Sequence, residues 1–294
     1  MNNLRVLHPA ESVLAFYDGR IPGYRFADGR NWVDDGALSP GIASYAVVSG
    51  GAALVYDTHI SPEHASYVRR TLESMGVNEI TVVLSHWHLD HVAGTEVFAD
   101  CEVIASSRTA QHLARNRAAI ERGELEGPPG IEPLILPTRT IEDALELRVG
   151  DIHVQLITTE IHSDDATLLV LPHERLLLCG DTMEDTATYV DEPERFDIHL
   201  ENLADLRSLD VTRILPNHGD PDTISAGGYE TELIDATISY IERLRRCGRD
   251  PELRAMSLRE LLGDLVDEGP LRYFEPYEEV HRLNVERVLA LGRA

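Results

Sequence analysis

The sequence predicts an α/β protein, and two regularities along the chain support this class. Short runs rich in valine, isoleucine and leucine, typical of buried strands, recur between residues 13 and 215. Between them lie segments whose apolar residues recur every three or four positions, which is the spacing of an amphipathic helix. Because the two patterns alternate, we expect sheets covered by helices.

The apolar runs predict ten strands, separated by glycine, proline and polar clusters. In one of them Ile141, Leu145 and Leu147 alternate with charged residues, which indicates a half-buried strand. The predicted strands lie near residues 13–17, 42–49, 51–57, 80–84, 102–105, 141–149, 152–158, 166–171, 175–180 and 213–215.

Start signals predict the first helix. Ser61 is a suitable N-cap and Pro62 fits the first helical position. The segment 123–139, with two consecutive prolines between glycines, is predicted to be a long loop, either a lid or an inert connection. The apolar stripe predicted for the helix consists of Ala65, Val68, Leu72 and Met75.

Beyond Gly228 only helical patterns remain. We therefore expect a main domain at residues 1–228 and a helical C-terminal extension at 229–294 that packs on it. The two predicted stripes are Ile234, Ile238 and Ile241, and then Tyr277, Val280, Asn284, Val288 and Leu291.

The most distinctive motif is a dense run of metal-ligand types. His86, His88, Asp90 and His91 occupy six residues after the predicted strand 80–84. Imidazole and carboxylate together favour zinc or a neighbouring transition metal. Alternate positions do not share one helical face, so we expect these ligands on a loop that leads into a helix near 92–98.

Other donors must complete the site, because a catalytic metal needs about three protein ligands and an open position. His162 is predicted on a loop between two strands. Asp181 and His218 each follow a short apolar run, which places them at strand ends, where ligands collect in layered α/β folds.

This set of residues resembles the metallo-β-lactamase superfamily of dinuclear hydrolases. The signature His-x-His-x-Asp-His is followed by a His, an Asp at a strand end and a final His, in the family's order. Tyr45 to Asp57 resembles the family's first hairpin, and the resemblance covers roughly residues 40–225. It implies a four-layer αβ/βα sandwich for the domain at 1–228. The helical pattern of the extension separately leads us to expect that it lies on this sandwich and helps to shape the substrate pocket.

The resemblance also implies the ligand assignment. One metal would bind His86, His88 and His162, a second would bind Asp90, His91 and His218, and Asp181 would bridge them. Two zinc ions are expected, with manganese or iron as alternatives. Asp90 or Asp181 would handle the proton in catalysis, and Asp57, which closes the hairpin, would orient a metal ligand.

Four further residues are candidates near this site. His59 is a candidate substrate contact, with a locally satisfied histidine as the alternative. Tyr189 and Tyr229 are candidate oxyanion donors, although core or rim tyrosines are commoner. Cys179 is expected in the core, two residues before Asp181 on one face of a strand.

The net charge of the chain restricts the classes of molecule that it can bind. The 294 residues include 51 acidic and 26 basic ones, a net charge of −25, and all basic residues are arginine. Such a field repels phosphate polymers, so we expect a small-molecule substrate and no nucleic acid. The absence of lysine excludes Schiff-base chemistry.

Composition indicates a cytoplasmic protein. The first thirty residues lack a basic segment followed by an apolar one, and no stretch is long enough to cross a membrane. Three cysteines without a CxxC pair make a disulfide framework improbable. A homodimer is a candidate assembly.

The expected activity is metal-dependent hydrolysis of a small ester, lactone or thioester. True β-lactamases of this family have another residue in place of His91 or Asp181, whereas this chain has both, so a true β-lactamase is disfavoured. Flavodiiron enzymes have a glutamate where His88 stands, so they are disfavoured as well. The alternatives are a polyketide-type thioesterase or cyclase, a phosphodiesterase, and a mononuclear-iron sulfur dioxygenase using His86, His88 and Asp181.

Overall fold

Two mixed β-sheets pack face to face in the computed structural model, which describes residues 3–291. The first sheet follows the chain order and changes from antiparallel to parallel pairing after its fourth strand. Its strands are β1 (Arg5–Ala10), β2 (Val13–Asp18), β3 (Ile42–Ser49), β4 (Ala52–Tyr56), β5 (Glu79–Val83), β6 (Glu102–Ser106) and β7 (Arg139–Ile141).

The second sheet has five strands in the spatial order β12-β11-β10-β9-β8. In chain order, β8 to β11 form an antiparallel meander, and β12 pairs parallel to β11. These strands are β8 (Ala144–Val149), β9 (Ile152–Ile161), β10 (Ser163–Leu171), β11 (Leu176–Gly180) and β12 (Arg213–Pro216).

Helices connect the strands and follow the last of them. The helices are α1 (Pro62–Ser74), α2 (Leu89–Val92), α3 (Ser107–Glu121), α4 (Phe196–Leu206), α5 (Pro221–Ser225), α6 (Glu232–Cys247), α7 (Pro251–Arg254), α8 (Leu258–Leu262), α9 (Asp264–Asp267) and α10 (Tyr277–Leu291). A π-helical turn at Val33–Leu38 and 3₁₀ turns at Thr95–Phe98 and Pro193–Arg195 complete the set.

The strands β2, β3 and β4 of the first sheet are buried on both faces. In β4, Leu54 and Tyr56 belong to the core shared with the second sheet, while Ala53 and Val55 belong to the core beneath α1 and α3. Alternate side chains of a strand point to opposite faces, so an apolar residue is needed at every position. Each fully buried side chain of this kind contributes about 1.5–3 kcal/mol. The expected four-layer αβ/βα order is confirmed.

The C-terminal helices belong to the same core as the second sheet. Leu233 and Ile241 of α6 and Tyr277 of α10 are buried in the cluster that contains the sheet residues Leu169 and Leu177. The helical extension therefore packs on the sandwich. Two predicted stripe residues are corrected: Met75 and Leu291 are exposed because they lie at the carboxyl ends of their helices.

The start of α1 is confirmed. Ser61 adopts an extended backbone and its side chain accepts a hydrogen bond from the backbone N–H of His64, while Pro62 occupies the first turn. The segment predicted as a long loop is also irregular, up to the start of β7.

Two strand predictions are wrong. The run 141–149 is not one strand: β7 ends at Ile141 in the first sheet and β8 begins at Ala144 in the second. The two residues between them carry the chain across the sandwich, which periodicity cannot reveal. The edge strand β1 was not predicted, because its half-exposed residues lack a continuous apolar run.

Within residues 3–291, no helix combines the length and the apolar character that a bilayer crossing requires.

Gly94 tests the packing of α1 against the loop after β4. A methyl group on Gly94 would lie 2.2 Å from the carbonyl oxygen of Thr58 and 2.3 Å from Cβ of Ala65. We expect Gly94→Ala to lower the free energy of unfolding by about 1–3 kcal/mol through overpacking. Thermal or denaturant unfolding of the metal-free protein measures this change.

Gly36→Ala is the matched control, because within residues 3–291 a methyl group there would meet no atom within 4 Å outside its neighbours and its own helical turn, and the backbone φ is not positive. An equal effect of both substitutions would contradict the packing argument.

Candidate metal centre

The predicted ligands converge at one edge of the sandwich. His86 follows β5, Asp181 follows β11 and His218 follows β12, each just beyond the carboxyl end of its strand. Carboxyl ends of neighbouring parallel strands lie at the same edge, which is where binding sites form in α/β folds. His162 reaches this edge from the single residue between β9 and β10.

The dense run divides between a loop and a helical turn. His86 and His88 precede α2, whereas Asp90 and His91 lie within it, so the prediction of a loop for all four was wrong. The turn forms because His88 adopts an extended backbone before the helix and its carbonyl accepts a hydrogen bond from the N–H of His91 at 3.2 Å. Thr58 fixes the turn, since its backbone N–H and its hydroxyl both donate to the carbonyl of His91.

Two groups of potential ligands share one carboxylate. The first contains His86, His88, His162 and Asp181, and the second contains Asp90, His91, Asp181 and His218. In each group one donor atom per residue lies within 4.8 Å of the others. All seven residues predicted as ligands are therefore brought together.

The shared oxygen is Oδ2 of Asp181. It lies 3.1 Å from Nε2 of His91 and 3.3 Å from Nε2 of His218. Nε2 of His86 is 3.6 Å away and Nε2 of His162 is 3.9 Å away. One carboxylate oxygen thus faces imidazoles from both groups.

Hydrogen bonds at the far ring nitrogen orient four of the five histidines. This pattern fixes the tautomer that leaves Nε2 free to bind a metal. The pairs are His86 Nδ1 with Ser85 Oγ at 2.9 Å, His91 Nδ1 with Asp57 Oδ2 at 3.0 Å, His162 Nδ1 with the Tyr189 carbonyl at 2.8 Å, and His218 Nδ1 with the Gly41 carbonyl at 2.7 Å.

Asp57 forms a buried junction behind His91. Besides His91, its carboxylate accepts hydrogen bonds from the backbone N–H of Ser85 at 2.6 Å and from Nδ2 of Asn217 at 2.6 Å. The orienting role expected for Asp57 fits this placement. Asn217 was missed in the sequence, although its position immediately before His218 was an available signal.

Left-handed backbone conformations cluster at the site. Asp57, His59 and His162 have φ values of 67°, 66° and 71°. A residue with a side chain rarely adopts this region, and such strain concentrates at functional sites. At His162 the conformation turns the side chain out of the β9–β10 hairpin towards the other ligands.

Asp181, His86 and His162 have the ionisation states that metal binding requires. Burial raises the pKa of Asp181, but His218 and His91 outweigh burial and hold this pKa well below its usual range. Burial and neighbouring imidazoles lower the pKa of His86 far below its ordinary value, and burial with His88 lowers that of His162 to about 4. An ionised carboxylate and neutral imidazoles are the forms that bind metals. Burial opposes protonation of His91 and His218, but Asp181 and Asp90 outweigh it and raise the pKa of both well above its usual value, so these two imidazoles would release a proton when a metal binds.

The residues present fit a divalent metal. Nε2 of His86 and Oδ1 of Asp181 are buried and have no hydrogen-bond partner among residues 3–291. Buried polar atoms are normally satisfied, so these two indicate missing partners. Nitrogen and oxygen donors in two adjacent groups supply the ligands that such an ion requires.

The remaining candidates are placed differently. Tyr189 lies beside the first group, with its ring 5.8 Å from that of His162. The hydroxyl of Tyr229 donates to Asp185 and accepts from the backbone N–H of Asp220, so it serves a neighbouring turn instead of the ligand groups.

His59 and Cys179 are both fully buried. His59 stacks on His64 with ring centroids 4.6 Å apart, and its side chain has no exposed surface for a substrate. Burial raises the pKa of Cys179 to about 12, and its thiol donates to backbone carbonyls. Cys179 belongs to neither ligand group within the described chain, in agreement with a packing role.

Comparisons with known protein sequences point to one family. The profile of the metallo-beta-lactamase superfamily matches residues 40–251. A beta-lactamase-like protein 2 homolog from Caenorhabditis elegans is 27% identical over 61% of this chain and 56% of its own length. An atrochrysone carboxyl ACP thioesterase from Emericella nidulans is 24% identical over 79% of this chain and 76% of its own length. This chain thus spans little more than half of the worm protein.

Solved structures show the same fold. The DIM-1 metallo-beta-lactamase exposed to ceftazidime superimposes with a TM-score of 0.61 at 18% identity, covering 82% of this chain and 97% of that one. A metallo-beta-lactamase from Pontibacter korlensis gives a TM-score of 0.61 at 16% identity, covering 81% and 99%. At these identities the likeness concerns the fold alone.

Asp57→Ala tests the buried junction behind His91. The substitution removes the acceptor of His91 Nδ1, so we expect metal affinity to fall by about 10–100-fold. Competition with a chromophoric chelator measures the affinity. Asp210→Ala is the control, because Asp210 is exposed and its one ion-pair partner among residues 3–291 is Arg175 at the surface. Equal affinities in both variants would show that Asp57 does not orient the ligand.

Proposed function

Because the chain belongs to the metallo-β-lactamase superfamily, we propose that it is a dinuclear metal-dependent hydrolase of a small ester, lactone or thioester. The observation that carries this proposal is the single oxygen of Asp181 that faces His91 and His218 on one side and His86 and His162 on the other. A carboxylate so placed would bridge two ions.

The proposed cofactor is a pair of zinc ions. His86, His88 and His162 would hold one, and Asp90, His91 and His218 would hold the other. Three protein donors for each ion, together with the bridge, leave room for water and substrate. Two such ions supply Lewis acidity, which makes hydroxide available near neutral pH and polarises a carbonyl group.

Two side chains of this chain are proposed to act on the substrate, one in proton transfer and one as a donor to the oxyanion. The side chain of Asp90 is 14% exposed and that of Asp181 is 5% exposed, so Asp90 is the more accessible of the two carboxylates. We assign to Asp90 the acceptance of a proton from the attacking water and its delivery to the leaving group. Tyr189, which is half-buried, is the candidate donor to the developing oxyanion.

Charge supports a neutral or weakly charged acyl substrate. The net charge of −25 repels polyanions, which disfavours a nucleic-acid substrate. Among the acyl compounds, a thioester gains support from the relative in Emericella nidulans, which is named a thioesterase and matches over most of its length. The ester and lactone remain within the proposed class.

The dinuclear proposal also distinguishes this site from a single-iron centre. A mononuclear iron dioxygenase would need only His86, His88 and Asp181. In this chain His91 and His218 both contact the same Asp181 oxygen. Oδ2 of Asp90 lies 3.2 Å from Nε2 of His218. A second complete group favours two ions.

Substrate preference tests the proposed reaction. With zinc-reconstituted protein at low ionic strength, where charge repulsion is least screened, turnover of thioesters, lactones or aryl esters should exceed that of an aryl phosphodiester or structured RNA by a wide margin. Product formation across one substrate panel measures this. If the phosphodiester were the best substrate, the acyl proposal would be replaced by phosphodiester hydrolysis.

Metal content tests the bridge. Elemental analysis should find close to two zinc ions per wild-type chain, whereas Asp181→Ala should lose metal from both sites together with nearly all activity. Cys179→Ala, two residues away and outside both ligand groups, should retain the metal and most activity. Equal losses in the two variants would mean that Asp181 does not bridge, and a wild-type protein that takes up no metal would refute the dinuclear proposal.

A further inference from the structure

His88 differs from the other four histidines of the site. Their far nitrogens have hydrogen-bond partners within 3.0 Å, whereas Nε2 of His88 has Oδ2 of Asp191 at 3.9 Å. Nδ1 of His88 faces the ligand group, 3.0 Å from Nε2 of His162. At 3.9 Å this contact is electrostatic and longer than a hydrogen bond, so Asp191 is a charged group that faces the far nitrogen of His88.

Asp191 belongs to a short strap, residues 189–191, that touches two ligands of the first group. The carbonyl of Tyr189 accepts from Nδ1 of His162, and the backbone N–H of Asp191 donates to the carbonyl of His162 at 3.0 Å. The strap thus meets His162 through the backbone and His88 through the Asp191 carboxylate. It has no comparable contact with the second group among the described hydrogen bonds and ion pairs.

The strap is fastened by α10. Nη1 of Arg287 donates to the carbonyl of Asp191 at 2.9 Å and to its Oδ1 at 2.7 Å, while Nη2 donates to the hydroxyl of Tyr189. The guanidinium also lies 4.8 Å from the centre of the Tyr189 ring. The fixed fork of arginine can hold the carboxylate, the carbonyl and the phenol at once, which a lysine could do only in part.

A second residue of α10 holds the middle of the strap and the residue that precedes it. Asn284 is fully buried, accepts from the backbone N–H of Val190 at 2.9 Å and donates to the carbonyl of Thr188 at 2.9 Å. Both anchors lie beyond residue 251, where the family match ends. The helix therefore holds the strap through two residues that lie outside the matched region.

We infer that Arg287, acting through Asp191 and Tyr189, is a positioning residue for the first metal site and that α10 sets how firmly this site holds its ion. The inference rests on the proposed dinuclear site. The exposures agree with it, because the side chains of Asp191 and Arg287 are 25% and 40% exposed while His86 and His162 are buried. Loss of the arginine would remove the contacts that hold the Asp191 carboxylate and the Tyr189 hydroxyl, while Asn284 would still hold Val190 and no ligand would be altered.

The test measures zinc release to a colorimetric chelator in single-site backgrounds. His218→Ala leaves only the first site complete, and His88→Ala leaves only the second complete. In the first background Arg287→Met should accelerate release by about tenfold, the lower range for loss of an orienting partner. In the second background the same substitution should leave the release rate unchanged, a selectivity that general destabilisation of the fold would not produce.

Two variants control this experiment. Arg282→Met removes an arginine of the same helix whose partners in the described part of the chain are Glu279 and Glu286 at the surface, and it should leave release unchanged in both backgrounds. Arg287→Lys retains the charge and should restore part of the slow release. Asp191→Asn, which keeps the shape of the side chain, should reproduce the selective acceleration.

The outcomes separate the two proposals. If wild-type protein binds two zinc ions but Arg287→Met leaves release unchanged, or accelerates it equally in both backgrounds, the role of Arg287 is refuted and the dinuclear site stands. If the wild-type protein binds no metal, the dinuclear site itself fails.

Discussion

The structure depends on the electrostatic contact between one buried carboxylate and four imidazoles. Oδ2 of Asp181 lies within 4 Å of ring nitrogens on His86, His91, His162 and His218. Two of these histidines come from the first sheet and two from the second. A buried anion is costly unless charge and hydrogen-bond donors surround it, so the carboxyl ends of both sheets must approach this atom together.

The surrounding layers follow from that requirement. Asp57 at the end of β4 and Asn217 at the end of β12 join across the sheets at 2.6 Å, and both are fully buried. The apolar faces beneath them bring the strands together but do not fix side-chain directions to tenths of an ångström. Hydrogen bonds and left-handed backbone at Asp57 and His162 supply that precision.

The sequence was most informative where chemistry is encoded locally. The seven proposed ligands could be identified because their types and order are distinctive, and most strands and α1 could be placed from periodicity and capping. Contacts between distant segments could not be read in this way. Arg287 and Asp191 carry no motif, and their meeting depends on how α10 packs against the sandwich. The division between β7 and β8 depends likewise on the crossing from one sheet to the other.

The split of the dense histidine run has a consequence for how the protein matures. In the unfolded chain His86, His88, Asp90 and His91 lie close enough to chelate a single ion, whereas in the folded protein they belong to two different groups. An ion captured by the nascent chain would hold a non-native ligand set until the distant His162, Asp181 and His218 arrive. Such late contacts are slow to form because they close long loops. Early metal exposure would therefore delay refolding, and metal added after the sheets have docked would not.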